Sequence, residues 1–179
     1  MRRRDLLTTA LLAAPLALAV HPAAAQGLGG LSQPAEREIY RFARQAAYAN
    51  NFAIQSARIL LARSDHPQLR EYAQRLIEQR TAMNAALASI PAARAQVTQP
   101  LDNEAERALR TLQRQDSVEQ LNRYFVAQQV KRNEDVLEYY ADYAAGGGVP
   151  AVREYATRAL PVISRDLAIA RSLQRPREG

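Results

Sequence analysis

The sequence predicts an all-α domain: a four-helix bundle whose long crossover carries a short fifth helix. Three observations predict it. Alanine, leucine, arginine, glutamate and glutamine dominate the 179 residues, and the 7 glycines and 9 prolines fall mostly between apolar-periodic segments. Apolar residues recur at helical spacing in five stretches, most of them opened by a capping signature. Of the joints between them two are short, whereas the one from Ile90 to Ser117 is long.

Residues 1–25 have the three parts of an export signal. Arg2-Arg3-Arg4 is the basic start, Leu6 to Val20 the apolar core, and Ala23-Ala24-Ala25 the small-residue site, so cleavage is expected after Ala25. The apolar run is too short and too rich in alanine to anchor the chain. Arg3-Arg4-Asp5-Leu6-Leu7 also fits the twin-arginine pattern, which leaves the general secretory and twin-arginine routes both open. Either route makes the protein periplasmic or secreted, and no later apolar run is long enough to give the mature chain a transmembrane segment.

Residues 26–33 read as a disordered Gly-rich leader, followed by the bundle over 34–174 and a frayed tail over 175–179. Pro34 opens the first helix, 34–63, with Ser32 or Gln33 in its capping region and a narrow seam of Ile39, Phe42, Ala46, Ala49, Ala53, Ala57 and Leu60. Ser64-Asp65-His66-Pro67 stops and restarts the chain, with Asp65 or His66 as cap of a second helix over 67–90. Leu69, Leu76, Met83 and Ile90 recur there every seven residues. Pro91 and Pro100 bracket a loop, and Asp102 caps a short helix over 102–115. Asp116-Ser117 caps the long helix over 117–145, whose apolar stripe at helical spacing runs through Val118, Leu121, Phe125, Val136, Tyr139 and Tyr143 to Gly146-Gly147-Gly148. Val149-Pro150 starts the last helix, 150–174, in which Pro161 removes a backbone donor and is expected to kink the axis. Two tight hairpins joined by one long crossover is the ferritin-like topology.

Charge and residue types exclude more than they assign. Of the 24 basic residues only Lys131 is a lysine, and the net charge is +6, or +4 once residues 1–25 are gone. No compact basic run exists, so a solvated surface is expected and nucleic acid is not an expected partner. The absence of cysteine excludes disulfides, thiolate metal sites, a cysteine nucleophile and a lipoprotein anchor. His21 is lost on export, and His66 sits in a turn beside a proline, a poor place for a catalytic base. No catalytic residues and no cofactor are therefore expected.

Four polar residues interrupt the core-facing stripes at comparable depth: Arg80, Gln128, Arg132 and Asp166. An unpaired buried charge costs several kcal/mol. Either the arginines snorkel out along stripe edges, or the four form an inter-helix network in which Asp166 pairs with Arg80, Arg132 or both. A structural register and an anion pocket with Arg80 and Arg132 as its fork are the two roles such a network offers.

The stretches Phe42-Ala43-Arg44-Gln45-Ala46-Ala47, Tyr72-Ala73-Gln74-Arg75-Leu76, Tyr124-Phe125 and Tyr155-Ala156-Thr157-Arg158-Ala159-Leu160-Pro161 resemble landmarks of domain-of-unknown-function family 4142. The resemblance covers about Ile39 to Leu173 and rests on order and spacing. It implies an exported ferritin-like bundle, common in bacterial envelopes, with no settled activity. Many members carry histidines where this chain holds Arg80, Arg132 and Asp166. Arginine keeps its proton and cannot ligate a metal, so the resemblance implies a metal role lost in this chain. The expected function is non-enzymatic binding of an unknown protein or a small anionic ligand, with a ferritin-like metal-binding or metal-oxidising protein as the alternative.

Overall fold

The computed structural model describes residues 31–174, and every regular element among them is a helix. Helix α1 spans Gln33–Arg63, α2 Pro67–Ala88, α3 Asn103–Gln113, α4 Val118–Gly146 and α5 Pro150–Gln174. A 3-10 helix over Pro91–Gln96 fills part of the segment that the two prolines were expected to leave as loop. The fold is all-α, as the sequence predicts. The export signal, most of the leader and the tail lie outside the described residues, and Gln33, read as leader, is the first residue of α1.

Local chemistry explains the helix starts. The side chains of Ser32, Asp102 and Ser117 accept from the backbone N–H of Ala35, Ala105 and Gln120, which otherwise lack an intrahelical partner. His66 occupies the cap position of α2, but neither it nor Asp65 caps through a side chain. Arg70 holds that joint instead, donating 2.8 Å bonds to the carbonyls of Leu61 and Ser64. Helix α5 continues through Pro161, whose ring lies on the exposed face.

Two apolar clusters fix the directions of the helices. One joins Ile39 and Phe42 of α1 to Met83 and Leu87 late in α2, Val136 and Tyr140 late in α4, and Val152 early in α5. The other joins Ala57 and Leu60, late in α1, to the beginnings of α2 and α4 and to Leu167 and Ala170 late in α5. Thus α1 and α5 both run antiparallel to α2 and α4. The main packed pairs are α1 with α2 and α4 with α5, and contacts of α1 with α4 and of α2 with α5 close the ring. The crossover returns the chain to the end where α2 began. On the way α3 seats Ala105 and Leu109 against Phe52, and Arg63 of α1 grips the end of α3 through the carbonyls of Gln113 and Gln115.

The glycine turn between α4 and α5 is latched to α1. The Gly148 N–H donates to Glu38 Oε1 at 2.7 Å. A Cβ on Gly147 would stand 2.3 Å from the Tyr143 ring and 2.6 Å from the Tyr143 carbonyl oxygen, so the close approach itself requires glycine there.

Candidate functional site

Between the two apolar clusters lies a layer of buried polar side chains drawn from all four long helices. Arg80, on the seam of α2 between Leu76 and Met83, donates from Nη2 to Asp166 Oδ2 on α5 at 2.8 Å and to Asn133 Oδ1 on α4 at 2.7 Å. The Tyr72 hydroxyl donates to the Asp166 carbonyl at 3.2 Å. On α1, Asn50 donates to Asn84 Oδ1, and Asn84 in turn donates to Asn51. Below them Gln129 of α4 donates to the Ser56 hydroxyl of α1.

Burial sets the electrostatics of this layer. It pushes the Asp166 carboxyl above the usual carboxylate value, against the pull of the Arg80 guanidinium. Burial also raises Tyr72, Tyr140 and Tyr155, Asp166 adding to the effect on Tyr72. Arg80 Nε, Asp166 Oδ1 and Asn50 Oδ1 are buried with no partner in the protein, the kind of atom that internal water satisfies.

Of the four residues singled out in the sequence, the structure brings two together, Arg80 and Asp166. Gln128 and Arg132 stand outside the layer, which is a correction: the α4 residues that face the core are Gln129 and Asn133. Arg132 neither pairs with Asp166 nor forms a fork with Arg80. Its guanidinium lies 3.9 Å over the Phe52 ring and 3.7 Å from Glu104, so it fastens the crossover helix to the side of the domain. The stripe shift also moves Val118 to the surface and makes Tyr140 the buried tyrosine, with Tyr139 and Tyr143 half-buried. Asn50, Asn84, Asn133, Tyr72 and Tyr155 belong to the layer and were not read as site residues. The signal for the three asparagines is a polar side chain one position from a seam, whereas Tyr72 and Tyr155 each open a stretch that carries the family resemblance.

The layer's donors do not fit a di-metal centre, which needs several carboxylates and histidines facing one point. Here one carboxylate meets a guanidinium, and among the described residues no group of three or more His, Asp or Glu side chains converges. The arrangement holds four helices in register and leaves little scope for acid–base chemistry, because its one carboxylate is already paired. At the glycine end a groove of about 530 Å³ lies along Glu38, Arg41, Tyr139 and Tyr143. At the opposite end a second groove, of about 430 Å³, opens beside His66, Asn122 and Leu173.

With this geometry in hand, comparison with known proteins adds one match. The family model described as "Domain of unknown function (DUF4142)" matches residues 24–173. No curated protein and no solved structure matches the chain.

Proposed function

The chain belongs to the DUF4142 family, and from that premise we propose that it is a non-enzymatic, exported binding protein of the cell envelope with a ferritin-like helix order. The observation that carries this reading is the Arg80–Asp166 pair in mid-core. The one carboxylate at the level where a ferritin-like bundle would gather metal ligands is already engaged by a guanidinium, and a di-metal centre needs several carboxylates and histidines there. The export signal at residues 1–25 supports an envelope location, and the two end grooves offer room for a ligand.

Equilibrium dialysis against iron, manganese, copper and zinc, followed by elemental analysis, tests the reading. The expected result is less than stoichiometric metal after washing. A tightly held metal at one or two ions per chain would replace this proposal with the metal-binding or metal-oxidising alternative.

A further inference from the structure

Helices α2 to α5 lace their outward faces with opposite charges one turn apart. Glu71 pairs with Arg75 on α2, Glu106 with Arg110 on α3, Glu119 with Arg123 and Lys131 with Asp135 on α4, and Glu154 with Arg158 on α5. Helix α1 does the reverse. Arg37 and Arg41 stand one turn apart with like charges, a spacing that weakens a helix, so local stability does not explain them. Arg44 follows on the same exposed ridge, and among the described residues none of the three is in an ion pair.

Neutral groups hold these arginines in place. Arg37 Nε donates to the Gln33 carbonyl at 3.3 Å, and Arg44 Nε donates to the Tyr48 hydroxyl at 2.9 Å. Glu38 and Asp142 flank Arg41 on the side toward α4, where Glu38 is engaged by the Gly148 N–H. On the other side the 3-10 helix over Pro91–Gln96 packs against α1, and the chain from Gln79 to Leu101 brings Arg94 and no carboxylate. Tyr40 lies between Arg37 and Arg44 on the ridge and, at 48%, is the most exposed large apolar side chain described.

Charge and shape narrow the partner. Unpaired guanidinium groups call for an anion and match phosphate oxygens two at a time. A tyrosine with an exposed ring suits a boundary that is apolar on one side and wet on the other. All four side chains project from one helix, a shape that meets a broad surface better than it grips a small molecule. We propose that Arg37, Tyr40, Arg41 and Arg44, the outer ridge of α1, dock the protein on a membrane surface bearing anionic phospholipids. The contact is peripheral, since no described helix is long and apolar enough to cross a membrane. It uses neither the mid-core nor the end grooves as a ligand site, so it stands or falls apart from the metal question.

Vesicles of phosphatidylcholine mixed with phosphatidylglycerol, set against vesicles of phosphatidylcholine alone, test this on the full chain. The neutral vesicles account for whatever the apolar run from Leu6 to Val20 contributes. Binding to the mixed vesicles is expected to exceed binding to the neutral ones and to fall as salt is raised. Each arginine near an anionic surface strengthens binding about fivefold, so Arg41→Gln with Arg44→Gln should weaken it about twentyfold. Arg158→Gln with Arg165→Gln removes the same net charge from α5, across the bundle, and should change binding less than about twofold. The chain has no tryptophan, so a single introduced one reports its own surroundings. Emission from Tyr40→Trp should shift to the blue on the mixed vesicles, whereas emission from Ala168→Trp, exposed on α5, should not. Equal binding to both kinds of vesicle, equal loss in the two double variants, or the same shift at both reporters would each overturn the proposal. Binding to polyglutamate without binding to vesicles would also overturn it and put an acidic chain in place of the membrane.

Discussion

Arg80 and Asp166 lie 2.8 Å apart with side chains 2% and 0% exposed, the one ion pair among the described residues that is closed to solvent at both ends. Every other described ion pair has at least one well-exposed partner and contributes about 0–1 kcal/mol. The buried pair behaves differently because each charge depends on the other.

Removing one partner leaves a desolvated charge behind. Asp166→Ala is therefore expected to cost about 3–5 kcal/mol in urea unfolding. Asp166→Leu combined with Arg80→Met replaces both charges by apolar volume and should recover most of that loss. If the midpoint of Asp166→Ala stays within error of the parent, the pair does not support the fold.

Acid stability carries two opposite signatures. Burial raises Asp166, so the folded chain holds this proton more tightly than the unfolded chain. Stability from this group is greatest at low pH and falls as pH rises from the ordinary carboxylate value to the folded one. Glu38 is held low by the neighbouring Tyr143 hydroxyl and the Gly148 N–H, so its contribution is present above the ordinary value and lost as pH falls through the folded one. Above the ordinary carboxylate value Asp166→Asn should make stability climb more steeply with pH than in the parent, and below it Glu38→Gln should flatten the climb. The same slope in both variants would count against these assignments.

The three turn glycines should rank in a definite order. Gly147→Ala is expected to cost about 1–3 kcal/mol, because the added carbon meets both ring and backbone of Tyr143. Gly148→Ala meets only the movable Glu38 carboxylate and should cost less. Gly146, the last residue of α4, has open space around it, so Gly146→Ala should be neutral or gain up to about 1 kcal/mol. Thermal unfolding of the three single variants decides the ranking, and a Gly146→Ala protein weaker than Gly147→Ala would contradict it.

Arg132 is expected to matter through packing. Its guanidinium covers Phe52, which is itself buried, and reaches Glu104 of α3. Arg132→Ala should cost about 1–2 kcal/mol, with Arg132→Lys intermediate. Equal stability of all three proteins would show that the contact contributes nothing.

The export proposal is tested on the precursor. N-terminal sequencing of the periplasmic fraction should begin at Gln26, with allowance for its cyclisation. Changing Arg3 and Arg4 to lysine should block export by the twin-arginine route and leave general secretion largely intact. Full-length chain recovered from the membrane would contradict cleavage.

How far the sequence reached depended on whether the deciding interaction was local. Ser32, Asp102 and Ser117 were legible as helix starts because a cap acts within three residues of its own position. The second helix was legible almost to its end because the seam through Leu69, Leu76 and Met83 stays on one face, although Ile90, read as the next member, lies beyond the helix, which stops at Ala88. Over the 29 residues of α4 the stripe was right at Leu121, Phe125 and Val136 and a position off between Phe125 and Val136 and beyond it. An α-helix has 3.6 residues per turn, so steps of three and of four both fit, and between Phe125 and Val136 no apolar periodicity chose between them. The buried face accordingly passes through Leu121, Phe125, Gln129, Asn133, Val136 and Tyr140, leaving Gln128 and Arg132 a position aside. Asn50 was missed for a related reason, since the alanine seam of α1 was read through Ala49. That Arg80 meets Asp166 was one of the pairings the sequence left open, and the choice between partners depended on which α4 residue, Arg132 or Asn133, faces the core.

The polar ties of the core also say how the two halves of the chain recognise one another. Arg80 to Asp166 and Asn133, Tyr72 to the Asp166 carbonyl, and Gln129 to Ser56 each run from the α1–α2 hairpin to the α4–α5 hairpin. Apolar faces alone would accept many partners, whereas these donors and acceptors fit only at one axial offset. Two separately produced hairpins, split within the crossover, should therefore reassemble in this pairing. A first hairpin bearing Arg80→Met should lose to the unaltered one when both compete for the same second half.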